Sequence, residues 1–394
     1  MQESYHIVCV CCGQGFPNGM AQTTRIRMVG KALVTGGCRF TVLNIGGGLC
    51  PNSASSGTVK GIFYEYLPGR TTRPENFFVR KYVCGHGVLQ AVKRLYSLRN
   101  KEDNLCVYSW FSGGDYAWFH RYLKLIQYPI VQEVNEWWPG DRQKALRNQC
   151  ISLTQGTIAI SRSIINHLHN LPSYSSSHKL LHVPILVDTN EWSPRKCKYS
   201  NLNNMPYVLW CGNVSSSSDE IKFLIDVVKA VNESEMCRLV LVGKTSKETH
   251  KSICRMAGDI GLKPEFLYLP GFVSDDKLRT LMNGAVALLL PLWDTERSAC
   301  RFPTKLGQYL SSESAVVATA IGDLISYLVD GKSACLVAPN SVDGFAKKII
   351  LLLRNSEWAK SIGIAGREVA KQHFSIRANQ DKIVHFFKYI AKKQ

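Results

Sequence analysis

Five stretches of this sequence combine residue types that handle anions or protons. The first is Gly13-Gln14-Gly15-Phe16-Pro17-Asn18-Gly19, directly after an apolar run at residues 6–12. Glycine lets the backbone turn sharply and approach a ligand closely. A helix starting near Met20 would aim its first amides at an anion. The spacing is G-x-G-x-x-x-G, which departs from the dinucleotide fingerprint, and a tight turn accounts for it equally well. No acid follows the next run, 40–46, where one would hold a ribose; Asn44 and Gly46-Gly47-Gly48 stand there. That argues against a nicotinamide-dinucleotide enzyme. The second stretch, Gly212-Asn213-Val214 with Ser215 to Ser218, offers small polar residues that cap a helix or hold phosphate oxygens. The third is Gly243-Lys244, a point charge suited to a diphosphate. The fourth, Arg301-Phe302-Pro303-Thr304-Lys305 through Leu310, places proline in the first turn of a helix and two cations around its free amides. The fifth, Glu133-Val134-Asn135-Glu136-Trp137-Trp138, sets two carboxylates beside two indoles. Such a pair serves as acid and base or binds sugar hydroxyls, with the tryptophans stacking on a ring; a loop with its aromatics pinned inside reads equally well.

Other chemistries fail on spacing. Gly331-Lys332-Ser333 has Ser326 where a phosphate loop needs glycine. His167 and His169 share no helix face, which disfavours a metal pair. The Cys9-Val10-Cys11-Cys12 stretch divides its thiols between the two faces of a strand, and no second CxxC completes a zinc site. The fourteen cysteines therefore read as reduced core residues. Ser161-Arg162-Ser163 reads as a helix start rather than a nucleophile. No Asp-x-Asp is present to hold a metal–diphosphate, so no metal is expected.

The elements that must position these residues are strands alternating with helices. Short apolar runs fall at 6–12, 40–46, 104–110, 129–134 and 156–161, and again at 206–212, 238–243, 265–270, 286–292, 315–320 and 334–338. Fully apolar runs such as Val286 to Leu290 predict strands buried on both faces of a parallel sheet. The class is α/β, with ligand loops at the carboxyl ends of the strands. The series breaks near 184–205, where Pro184, Asp188, Asn190, Pro194 and the polar run 196–204 read as a linker. This predicts an N-terminal domain over 1–190, a second over 191–374, and a C-terminal helix over 375–394 that carries Ile383, Phe386, Phe387 and Ile390 and could pack back on the first domain.

Net charge is +18 over 394 residues, spread across both halves. Anionic lipid, nucleic acid and phosphorylated small molecules all suit it, but no nucleic-acid motif is present. No run is long and apolar enough to span a membrane, and the N-terminus lacks the pattern of a secretory signal, so the expected location is cytoplasmic. Phe77 to Asn100 holds Arg80, Lys81, Lys93, Arg94 and Arg99 with no acid between Glu75 and Glu102. A helical reading puts Leu89, Val92 and Tyr96 on one stripe, which would pack on the sheet or rest on an anionic leaflet; Gly85 and Gly87 work against a continuous helix.

The order of these pieces resembles the family-four retaining glycosyltransferases of the GT-B fold, the glycosyl transferases group 1, over nearly the whole chain. The resemblance is carried by Val183 to Trp192, similar to that family's interdomain junction, by Leu269-Pro270-Gly271-Phe272-Val273-Ser274, similar to its nucleobase loop, and by Phe302-Pro303-Thr304-Lys305 with Gln308-Tyr309-Leu310. Val316 to Thr319 and Leu328 to Lys332 complete it. It implies two Rossmann-like domains facing across a cleft, an N-terminal one for the acceptor and a C-terminal one for a nucleotide-sugar donor. The donor is then a substrate, and no cofactor is needed. The implied acceptor is a sugar, glycan or lipid-linked hydroxyl. By the same resemblance Gly15, with Asn18 and Gly19, would face the donor from the N-terminal domain. Lys244 and Lys305 would neutralise its diphosphate, with Gly212, Asn213 and Arg301 beside them. Phe272 and Val273 would border the base, and Gln308 would reach the ribose. The family often carries two glutamates eight positions apart; Cys300 and Gln308 occupy those places, with Phe302 between them and Glu296 the nearest acid. These departures also fit a noncatalytic nucleotide-sugar-binding protein, and an epimerase or hydrolase would share the architecture.

Overall fold

The computed structural model describes residues 4–49, 52–100, 104–111, 117–194 and 205–392. The polar run 196–204 lies outside them. The chain forms two compact units. One takes in Met1–Leu186, Cys300–Phe302 and Ile376–Gln394, the other Val187–Ala299 and Pro303–Ser375.

In the first unit the strands are β1 (Tyr5–Gly13), β2 (Arg39–Gly48), β3 (Ser56–Val59), β4 (Ile62–Tyr66), β5 (Asn104–Ser109), β6 (Ile130–Val134), β7 (Gly156–Ala159) and β8 (Lys179–His182). The helices are α1 (Ala21–Thr35), α2 (Phe77–Arg99), α3 (Ala117–Leu125), α4 (Asp141–Leu153) and α5 (Arg162–His169). The sheet order is β3-β4-β2-β1-β5-β6-β7-β8, parallel except for the β3–β4 hairpin. Strand order therefore reverses beside β1, and the crevice between the ends of β1 and β5 is where such a sheet admits a ligand. The apolar runs form the strands because β1, β5, β6 and β7 lie inside the sheet with helices on both faces. Cys9, Cys11, Tyr108 and Val131 pack into one core layer, and Val8, Val10, Val107 and Ile130 into the other.

The second unit holds β9 (Tyr207–Cys211), β10 (Arg238–Val242), β11 (Leu267–Gly271), β12 (Ala287–Leu290), β13 (Ala315–Thr319) and β14 (Cys335–Val337). Its helices are α6 (Ser218–Val231), α7 (Lys247–Ile260), α8 (Asp275–Asn283), α9 (Glu296–Cys300), whose last residue groups with the first unit, α10 (Thr304–Ser311), α11 (Leu324–Tyr327), α12 (Val342–Arg354) and α13 (Ser356–Val369). The order β11-β10-β9-β12-β13-β14 is all parallel and reverses between β9 and β12. The segment leading into this unit is fixed to it: Val187 N donates to the Phe374 carbonyl at 2.8 Å, and Arg279 donates to the Glu191 carbonyl at 2.8 Å while lying over the Trp192 ring.

The last helix, α14 (Ile376–Ala391), belongs to the first unit. Ile383, Phe386, Phe387 and Ile390 are all buried, and Phe387 meets the Tyr108 ring edge-on at 5.3 Å.

Helix α2 runs unbroken through both glycines. Gly87 faces the sheet, where a Cβ would come within 2.1 Å of the Ile45 carbonyl oxygen, so glycine lets the helix lie flush on β2. Gly85 looks into open space. The inner stripe is Cys84, Gly87, Val88, Ala91 and Leu95. Of the stripe Leu89, Val92 and Tyr96, Leu89 and Tyr96 point outward and are more than half exposed, while Val92 is partly buried against the core. The helix carries two apolar stripes, and close approach at Gly87 selects the one that packs on the sheet.

Histidines taken largely out of water make the first unit sensitive to acid. Burial lowers His120 to about 4, with its Nε2 2.7 Å from Ser109 Oγ, and burial likewise lowers His182 to about 4. In the unfolded chain both take up protons near 6.5. Between about pH 6.5 and 4 the unfolded state binds protons that the folded state refuses, so stability falls as pH drops through that window, by on the order of 1–3 kcal/mol. The urea midpoint should be lower at pH 5 than at pH 7.5, and His120→Gln should shrink the difference. Equal midpoints at the two pH values in the parent chain would refute this.

Candidate functional site

On the second unit the reversal of strand order between β9 and β12 singles out two loops. The loop after β9 begins Gly212-Asn213-Val214. Its close packing rests on glycine: Gly243, at φ +154°, would put a Cβ 1.8 Å from the Gly212 carbonyl oxygen. Hydrogen bonds run from Gly212 N to the Val242 carbonyl and from Gly243 N to the Gly271 carbonyl, both 3.0 Å, so the ends of β9, β10 and β11 form one tight ledge. Asn213 and Lys244 are exposed on that ledge, and Ser215 Oγ reaches the Lys244 carbonyl at 3.4 Å. Phe272, just past β11, is 84% exposed, and Val273 is half-buried.

The loop after β12 leads to α10. Leu292 N is pinned to Thr319 Oγ1 at 2.9 Å, and Trp293 packs edge-on against Phe223 of α6. Pro303 is the residue before the first turn of α10, rather than within it, and supplies no side-chain oxygen to cap the helix amides. Lys305 stands in that first turn, half-buried. One turn on, the Tyr309 hydroxyl accepts from Cys211 N at 2.8 Å and ties α10 to the end of β9. Gln308 Oε1 is buried with no hydrogen-bond partner among the described residues. An unmet acceptor of this kind has a standing free-energy cost unless something donates to it. Glu296 is exposed at the start of α9. Cys300 and Phe302 are buried, and Arg301 between them is half-exposed. Cys300, being 1% exposed, offers its thiol to no ligand; its carbonyl accepts from Ser161 Oγ at 2.8 Å.

On the first unit the glycine loop lies at the reversal point beside β1, and its structure is more self-contained than the sequence implied. The Tyr66 hydroxyl accepts from Phe16 N at 2.8 Å and donates to the Phe16 carbonyl. Asn52 brackets Asn18, accepting from its N at 3.0 Å and donating to its carbonyl at 3.1 Å. Thr23 Oγ1 donates to the buried Gly15 carbonyl at 2.6 Å. The amides of Phe16 and Asn18 are thus engaged within the protein. What remains for an anion is the rim at Asn18 and Gly19, which are exposed, and the first turn of α1, which no side chain caps.

A cation that the sequence did not single out sits beside this loop. The Gly48 carbonyl accepts from Arg73 N at 3.0 Å, and Gly47, at φ +75°, would put a Cβ 2.6 Å from the Thr72 backbone. Gly47 lets the 71–73 segment cross there, while Gly46 makes room for the Cys12 and Cys84 sulfurs. A side chain at Gly13 would meet the Arg73 guanidinium at 3.8 Å. The Gly46-Gly47-Gly48 run was the available signal, pointing to a close crossing of chains.

The paired-carboxylate reading at Glu133 and Glu136 is corrected. Glu133 is 3% exposed and accepts from Arg25 Nε at 3.0 Å and from the Tyr108 hydroxyl. Burial pushes its carboxyl up, while Arg25 and Tyr108 pull it down. It is an interior brace and does not face a ligand. Trp137 is likewise buried, stacked on His167 at 4.5 Å, and cannot stack on a sugar. Glu136 is half-exposed past β6, with Trp138 Nε1 donating to it at 3.2 Å, and Trp138 is 43% exposed. Among the described residues no group of three His, Cys, Asp or Glu could hold a metal ion.

Two parallel α/β units of this topology define the GT-B class of fold. Residues 205–355 match the family model described as glycosyl transferases group 1. The structure is similar to sucrose-phosphate synthase from Thermosynechococcus elongatus, with TM-score 0.75 and 15% identity over 98% of this chain and 99% of that one. It is similar to a glycosyltransferase from Rickettsia africae, with TM-score 0.72 and 16% identity over the whole of both chains. Anabaena HepE in complex with UDP-glucose gives TM-score 0.71 and 13% identity over 98% of this chain and 99% of that one. No curated protein sequence matches. The second unit thus carries a match to the glycosyl transferases group 1, and the fold of the chain is of the GT-B class.

Proposed function

We propose that the chain transfers one sugar from a nucleotide-diphosphate-sugar donor to an acceptor hydroxyl, with retention of configuration and without a metal, in polysaccharide or glycoconjugate synthesis. The observation that carries this reading is the ledge at the strand-order reversal of the second unit. There the loop of Gly212 and Asn213, with Lys244 beside it, follows strands whose end is tied to α10 through Tyr309 and Cys211. Helix α10 has an uncapped first turn with Lys305, and Gln308 keeps an unmet acceptor. The diphosphate leaves with growing negative charge, and preformed cations and amides stabilise that charge without reorganising. Arg301, four positions before Lys305 in the chain, is a further cation in this reading. Phe272 and Val273 border the base, and the Gln308 acceptor suits a ribose hydroxyl. That HepE is seen with UDP-glucose supports a nucleotide-sugar donor. In this reading Glu136 serves the acceptor, the Asn18–Gly19 rim with Arg73 keeps its role toward the anionic donor, and Glu296 is the carboxylate available on the second unit.

The test is a panel of radiolabelled nucleotide sugars, incubated with and without acceptor extract in excess EDTA. The expected result is acceptor-dependent release of nucleoside diphosphate that EDTA leaves intact. Loss of activity restored by magnesium or manganese would overturn the metal-free mechanism. Release that ignores the acceptor would point to a hydrolase or epimerase. Donor binding with no turnover would favour the noncatalytic reading that buried Cys300 suggests.

A further inference from the structure

We infer that the outer face of α2 is a docking surface for an anionic lipid bilayer. Helices of globular proteins carry one apolar stripe and turn a polar face to water. Helix α2 carries two. Opposite the stripe packed on the sheet, Phe78, Tyr82, Leu89 and Tyr96 recur at helical spacing and are 79%, 75%, 56% and 58% exposed. His86 and Lys93 fill the intervening positions of the same face, the His86 ring lying parallel to Tyr82. Phe77 and Val79 extend the apolar surface at the N-terminal end, at 53% and 45% exposure.

The charge on the helix decides which occupant fits. Its 23 residues hold Arg80, Lys81, Lys93, Arg94 and Arg99 and no carboxylate. Arg94 meets Glu65 at 3.7 Å, and Arg99 lies over the Tyr128 ring, so these two also serve the fold. Arg80 and Lys81 flank the Phe77 ring at 5.4 and 5.7 Å, and Lys93 stands within the outer stripe. Large apolar and aromatic side chains interleaved with cations, lying along one helix face, suit the headgroup boundary of an anionic leaflet. No helix among the described residues is long and apolar enough to cross a membrane, so the contact is one of lying on the surface. A second copy of this face would oppose cation to cation.

The experiment is cosedimentation of the full chain with vesicles of phosphatidylcholine alone and of phosphatidylcholine with phosphatidylglycerol. Binding should require the anionic lipid. Lys81→Glu with Lys93→Glu should weaken it by roughly tenfold or more, and so should Phe78→Ser with Tyr82→Ser and Leu89→Ser. All five side chains are exposed, and matching thermal melts will show that each variant folds. Equal sedimentation with both vesicle types, or variants that bind like the parent chain, would overturn the inference. So would a concentration-dependent dimer, formed without vesicles and abolished by the same substitutions, which would make the face an interface between copies.

Discussion

Replacing Lys305 by alanine should lower donor affinity and turnover roughly ten- to a hundredfold, the loss of one charge-assisted contact worth about 1.5–3 kcal/mol. The residue stands in the first turn of α10, whose N-cap is Pro303 and whose amides have no side-chain cap. Helix dipoles disfavour a cation there by about 0.3–1 kcal/mol. For the empty protein Lys305 is therefore a liability, and the first turn carries no acid to offset it. A bound diphosphate reverses the sign by accepting from both the amides and the ammonium group. Two measurements separate this from a general loss of structure. Lys305→Ala should leave the melting temperature unchanged or slightly raised without donor, and should lose most of the melting shift that donor produces. If the variant binds donor and turns over like the parent chain, the diphosphate is held elsewhere.

The sheets were largely legible because their strands are buried on both faces. Val286 to Leu290 or Leu239 to Val242 could sit nowhere but inside a covered parallel sheet, and such runs fall within a residue or two of the observed strands at β1, β2, β5 to β7 and β9 to β14. The strands that went unread are those with other surroundings. The β3–β4 hairpin is half-exposed, alternating buried and part-buried residues along β4. Its turn uses Lys60 and Gly61 at φ 51° and 78°, and a lysine gives none of the usual asparagine or aspartate signal for such a turn. β8 is an edge strand with no fully buried residue.

The candidate site was legible as loops at strand ends and less so in the direction its side chains take. Strand order follows from chirality and connection rules, so an apolar run ending in Gly212 or Gly13 already implies a ligand edge. Which way a side chain turns from such an edge depends on partners far along the chain. Glu133 and Glu136 look alike in sequence. One is drawn inward by Arg25, 108 positions earlier, and by Tyr108, while the other stays at the rim. Arg73 went unnoticed for the same reason: nothing in its own neighbourhood marks it, and only the crossing at Gly47 brings it to the glycine loop.

That inward carboxylate carries the second large effect. Arg25→Met should destabilise the first unit by about 3–5 kcal/mol, the cost of leaving a buried charge without its partner. Arg25 is 3% exposed and reaches three parts of the chain at once. Its Nε donates to Glu133 on β6 at 3.0 Å, and its other nitrogens donate to the carbonyls of Val183, at 2.8 Å, and Pro184. Helix α1, the centre of the sheet and the segment after β8 are thereby joined through one guanidinium. Methionine fills most of the same volume, so the loss measures polar partners rather than a cavity. In the single variant Glu133 keeps only the Tyr108 hydroxyl, and the two carbonyls lose their donor. The double variant Arg25→Met with Glu133→Gln removes the stranded charge, and should be more stable than Arg25→Met alone by a kcal/mol or more, because a neutral amide costs less to bury than a carboxylate. Urea denaturation of the parent chain, both single variants and the double variant gives the coupling directly. If the two substitutions add with no interaction energy, the ion pair is not what holds these elements, and the packing around Tyr108 and Phe387 must be doing so instead.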